Sequence, residues 1–150
     1  MIYKKILAFS KLGLPDKLFF LKVLSVLLFS KLVVLLVPFR KVMPYLGRHN
    51  AGFRALLNTT EQEKAERVRH FMFMVSNNVK WNSVCLDQAM ATAILLNKAK
   101  VPNCICLGVR KNEKAGKLDA HAWVLCGGTI LIGGQRSRSY TEVARFSRDF

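Results

Sequence analysis

Asp119-Ala120-His121-Ala122-Trp123-Val124-Leu125-Cys126-Gly127-Gly128-Thr129-Ile130-Leu131-Ile132 carries a strand-and-turn pattern about a glycine pair. Its aromatic and aliphatic residues alternate with others over 119–126, which predicts a strand. The Gly127-Gly128 pair followed by the run 129–132 predicts a hairpin. Upstream stands Trp81-Asn82-Ser83-Val84-Cys85-Leu86-Asp87-Gln88-Ala89, where Cys85 opens a helical pattern over Leu86–Leu96 with Ala89, Ala91 and Ala93 small enough for close packing on a sheet. A cysteine at a helix start, 36 residues before a strand histidine, is a candidate nucleophile and base. A helix N-terminus and a nearby imidazolium both favour a thiolate. The competing reading is a buried structural cysteine and a hydrogen-bonded strand histidine, because spacing alone does not bring two residues together.

Other elements follow from that centre. Asn58-Thr59-Thr60-Glu61 offers a helix N-cap with acids in the first turn, and Ala65, Val68, Phe71, Met72 and Val75 recur at helical spacing, predicting a core-facing helix. The neighbouring Phe73 and Met74 extend an apolar stripe of the kind that fills cores. The run 104–109 predicts a buried strand, and Arg110–Lys117 a polar, mobile loop. Cys104, Cys106 and Cys126 read as core cysteines, because their neighbours are apolar and no second paired-ligand spacing accompanies them. Neither a metal nor a nucleotide cofactor is expected, and no glycine-rich phosphate loop is present.

Residues 18–37 form a Leu-rich run stopped by Pro38, long enough to suggest a membrane span. Lys22 and Lys31 interrupt it at positions about 180° apart around a helix, and a lysine at the centre of a span costs roughly 2.5–3.5 kcal/mol. Three readings stay open: a buried helix, a helix lying on a membrane or partner surface, and a span. Basic residues exceed acidic ones by fifteen; residues 1–54 carry ten against the single acid Asp16, a net +9, and residues 55–150 carry the other +6. Such a field suits an anionic partner such as an acidic polypeptide or an anionic membrane surface. Nucleic acid is not expected, since the charge is dispersed along apolar helices without interleaved exposed aromatics. The sequence organisation predicts a Leu-rich basic helical region over 1–54 and a second domain over 55–150. Without a secretory cleavage signal, the expectation is a cytoplasmic chain with reduced thiols, peripheral at the inner face of the membrane if the Leu-rich helix lies at a surface.

Trp81…Cys85-Leu86…Gln88-Ala89, Leu107-Gly108-Val109, Ala120-His121-Ala122-Trp123-Val124 and Tyr140-Thr141, preceded by Pro38-Phe39-Arg40 and Leu46-Gly47-Arg48, together resemble the lasso peptide biosynthesis B2 proteins, which are transglutaminase-like cysteine peptidases. The resemblance covers most of the chain. It implies an α+β, papain/transglutaminase-like fold, with helices on a small antiparallel sheet. The implied activity is removal of the leader from a bacterial ribosomal precursor peptide, with Cys85 as nucleophile and His121 as base. The implied partners are the precursor peptide, a small leader-recognition B1 protein, and an asparagine-synthetase-like cyclase.

In that reading the backbone N–H of Cys85, joined by Asn82, serves the oxyanion. Related enzymes place an aspartate about twelve residues after the histidine, where this chain has Gly133. Gln135, Asp119, Asp87 and Glu142 are the alternatives for the third member, and none is singled out. Transglutaminase-type cross-linking shares the Cys/His chemistry. The rival from another class is a non-catalytic, basic, membrane-associated adaptor of a peptide-maturation complex.

Overall fold

The computed structural model describes residues 9–52, 54, 56–81, 84–112, 114 and 116–150. The long helix α1 spans Leu14–Leu36, with Pro15 in its first turn; Val37 turns extended ahead of Pro38 and ends it. Helix α2 covers Phe39–Leu46, and the two-residue strand β1 covers Arg48–His49. Helix α3, Thr59–Ser76, begins with the expected cap: the Asn58 side chain accepts from the Glu61 N–H at 2.9 Å while the Glu61 carboxylate accepts from the Asn58 N–H at 2.9 Å. Its five predicted inward positions, Ala65, Val68, Phe71, Met72 and Val75, are all buried. Helix α4 covers Cys85–Lys98.

The remaining elements are β2 (Asn103–Asn112), β3 (Lys117–Cys126), β4 (Thr129–Ile132), the one-turn α5 (Gly134–Ser137) and β5 (Thr141–Arg148). All strand pairs are antiparallel, in the order β1-β5-β2-β3-β4. The predicted hairpin forms, with Gly127 and Gly128 both at positive φ, as a two-residue turn matched to strand twist requires. The stretch from Arg110 does not begin a loop. Strand β2 continues to Asn112, with Arg110 paired to Asp119 and Asn112 to Lys117, and an Arg110–Asp119 ion pair at 3.1 Å crosses the ladder. Cross-strand charge pairing thus extends a strand that hydropathy alone would end. Glu113 and Ala115, in the same predicted loop, lie outside the described residues.

Alternation sorts the sheet into two faces. Ile105, Ala122, Val124 and Phe146 join the helices in the main core, while Cys104, Cys106 and Trp123 form a second cluster with Leu125 and Tyr140 on the opposite face. Small Ala89, Ala91 and Ala93 are buried on α4, which packs against the central strands. Helix α1 lies on α4 and α3 through Val23, Leu27 and Ser30, all fully buried. Lys31, one of the two lysines that interrupt the Leu-rich run, reaches the fully buried Asp87 of α4 at 3.6 Å. The opposite side of α1 carries exposed leucines, so the helix is neither wholly buried nor free of the domain.

Candidate active site

Cys85 is the first residue of α4, where backbone N–H groups lack intrahelical acceptors and the helix dipole is positive. Its thiol is partly buried among core side chains. His121 lies on β3 directly across from Gly108 of β2. That glycine is required by crowding: a Cβ at 108 would stand 2.8 Å from the Trp123 ring and 2.9 Å from Tyr140 Cβ. Its absence lets Trp123 and Tyr140 close over the strand and hold the imidazole, with ring centroids 6.0 and 5.0 Å from His121.

The third partner of the ring is a backbone atom. His121 Nε2 lies 2.8 Å from the carbonyl oxygen of Gly133. A carbonyl only accepts, so Nε2 carries the proton and Nδ1 is the basic nitrogen of the neutral ring. Gly133 has φ +83°, and a Cβ there would meet Ala122 O at 2.7 Å and Trp123 Cα at 3.0 Å. A side chain at this position, carboxylate or otherwise, therefore collides with β3 on this backbone. The close approach that excludes an aspartate side chain brings the Gly133 carbonyl to the ring instead.

The three carboxylate alternatives are occupied elsewhere. Arg110 and Asn112 donate to Asp119 at 3.1 and 3.2 Å, and the Arg110 bond above all holds its carboxyl below the usual range. Glu142 accepts from Arg145 Nε at 2.6 Å, and Asp87 faces Lys31. Gln135 lines the site cavity. Asn82, the expected second oxyanion donor, and its neighbour Ser83 lie outside the described residues.

Cys85 and His121 line the same cavity, about 720 Å³ in volume, together with Gln88, Gly133, Arg136 and Tyr140. Phe73 and Asn77 at the end of α3 also contribute to the wall, so Phe73, read from sequence as core, is 44% exposed at the site. Among the described residues no hydrogen bond joins the thiol to the imidazole. The two side chains share the cavity without that contact.

The other thiols are built differently. Cys104 and Cys106 are fully buried with their sulfurs 3.9 Å apart, and the shared hydrogen bond, then burial, pushes the Cys106 thiol up. Burial raises the Cys126 thiol to about 11, and its Sγ donates to Pro102 O at 3.3 Å. Iodoacetamide applied to the folded chain below about pH 8 is therefore expected to label Cys85 and spare the other three. Peptide mapping checks this, and labelling spread over all four cysteines would contradict the burial pattern.

Comparison with curated proteins and with solved structures gives no match. A family model described as the transglutaminase-like superfamily matches residues 33–145, a span running from α1 to β5 that includes both Cys85 and His121. The α+β architecture, with helices on a small antiparallel sheet, agrees with that match, and the chain belongs to the transglutaminase-like superfamily.

Proposed function

We propose that the chain is a cysteine peptidase that removes the leader from a lasso peptide precursor, with Cys85 as nucleophile and His121 as general base. The observation that carries the reading is the common cavity of a helix-start cysteine and a strand histidine whose Nε2 is held by Gly133 O, leaving Nδ1 basic. The superfamily includes cysteine peptidases, and the motifs around both residues resemble the B2 proteins of lasso peptide maturation.

In the reaction the Cys85 proton passes to Nδ1 and the thiolate adds to the scissile carbonyl. The Cys85 backbone N–H supports the oxyanion. Collapse expels the core-peptide amine, which takes the proton from the imidazolium, and leaves the leader as a thioester on Cys85. Water, deprotonated by His121, then releases the leader acid and restores the thiol. The basic surface suits an acidic leader or a recognition partner of B1 type, and the freed amine is the nucleophile that a cyclase resembling asparagine synthetase requires.

The test is incubation of the precursor and its recognition partner with the wild-type chain and with Cys85→Ala, with products read by mass. Cleavage just before the core peptide, absent in Cys85→Ala, is the expected outcome. A folded wild-type chain that binds the partner and leaves the precursor whole would overturn the peptidase reading and favour the adaptor.

A further inference from the structure

The side of α1 turned away from the domain is a continuous aliphatic face. Leu14, Leu18, Leu21, Leu28, Leu32 and Leu35 are 44–71% exposed and follow one another at alternating spacings of three and four residues, with Ser25 filling the single gap. On a helix they fall within an arc of about 120° that also takes in Phe29 and Leu36. Val23, Leu27 and Ser30, buried against the domain, point the opposite way. At 23 residues the face runs about 35 Å. Exposed apolar area of this length is not left uncovered without a partner.

Charge selects that partner. Lys17 and Lys22 stand on the two borders of the arc, and Arg40 and Lys41 follow its C-terminal end. The one acid of the helix, Asp16, lies on the far side, where Arg67 donates to it at 2.9 Å. Two copies of this chain packed face to face, parallel or antiparallel, would offer no acid to Lys17 or Lys22. A specific protein groove would need polar registration, yet the face is aliphatic apart from one aromatic, and its single hydroxyl, Ser25 Oγ, donates to Leu21 O at 2.8 Å. A fluid apolar layer beneath an anionic surface satisfies both leucines and lysines without registration.

We infer that α1 lies flat on an anionic lipid surface, its Leu14–Leu35 face seated among the acyl chains and Lys17 and Lys22 at the headgroups, while its other side holds the domain through Val23, Leu27 and the Lys31–Asp87 pair. The helix is an interfacial anchor and does not span, since spanning would strip the buried side from α4.

Sedimentation of the full chain with phosphatidylcholine vesicles, and with the same vesicles containing phosphatidylglycerol, tests this without any precursor, so it stands or falls apart from the peptidase reading. Binding is expected with the anionic vesicles, weakened by salt, and about five-fold weaker for each of Lys17→Gln and Lys22→Gln. Leu28→Glu/Leu32→Glu replaces exposed residues, so it should keep the wild-type circular dichroism and stay in the supernatant. Three results would overturn the inference: no binding to anionic vesicles at low salt, undiminished binding by the folded double-Glu variant, or binding that ignores lipid charge. Self-association abolished by that variant, with no vesicle binding, would assign the face to a second copy instead.

Discussion

Replacing His121 by alanine is expected to lower kcat/KM for precursor cleavage by about 10²- to 10⁴-fold, the range a positioned general base supplies, with KM little changed. The loss has two sources. Without the ring, the thiol proton has no acceptor and the leaving amine no donor. The Gly133 carbonyl, which now holds Nε2 at 2.8 Å, also loses its partner. His121→Gln separates them, because a glutamine amide can still donate to Gly133 O but cannot accept and return a proton at Nδ1. If the ring acts as the base, both variants fall together. If it merely packs between Trp123 and Tyr140, His121→Gln keeps most of the activity and the catalytic assignment fails. Circular dichroism and partner binding guard against a folding defect, since the ring also contributes stacking on two aromatics.

A carbonyl in place of a carboxylate changes what the third partner can do. It fixes the tautomer and the orientation of the imidazole, as an amide does in papain-like enzymes, but it brings a dipole and not a full negative charge to an imidazolium. This part of the site could not be read from side-chain chemistry. Searching for a carboxylate leads to Asp119, Asp87 and Glu142, each of which is committed to a cation elsewhere. The one legible trace is the glycine itself, at the position where related enzymes keep aspartate.

Much of the remaining architecture follows local rules. Asn58 and Glu61 announce the start of α3, Gly127-Gly128 sets the hairpin, and Cys85 opens its helix as the alanine spacing predicts. What escaped were non-local effects. Strand β5 carries the alternating Val143, Arg145, Ser147 on one face and Ala144, Phe146 on the other, a pattern diluted by two arginines until β2 pairs with it. The extension of β2 rests on charges meeting across the ladder. The lysine that counts against a membrane span finds its reason only in an aspartate 56 residues away.

That lysine and aspartate carry a large expected stability effect. Lys31→Met should cost about 3–5 kcal/mol, because it removes the cation that stands 3.6 Å from the fully buried Asp87 carboxylate. Asp87→Ala should cost less. Lys31 retains 18% side-chain exposure, so its ammonium can reach water along the flank of α1 once the carboxylate is gone. The double variant Lys31→Met/Asp87→Ala should be more stable than the sum of the two losses predicts, by about 1–3 kcal/mol, since an apolar pair removes both desolvation costs together. Urea denaturation of the four chains measures the cycle. Additive losses, or single variants within about 0.5 kcal/mol of wild type, would show that the contact does not couple the helices. The pair has a functional consequence as well. Asp87 sits in the same first turn of α4 as Cys85, so the contact that fastens the Leu-rich helix to the domain also fixes the turn that presents the thiol. Lys31→Met is therefore expected to slow Cys85 alkylation or cleavage even where the chain remains folded, whereas substitutions on the outward leucines of α1 should leave the chemistry untouched.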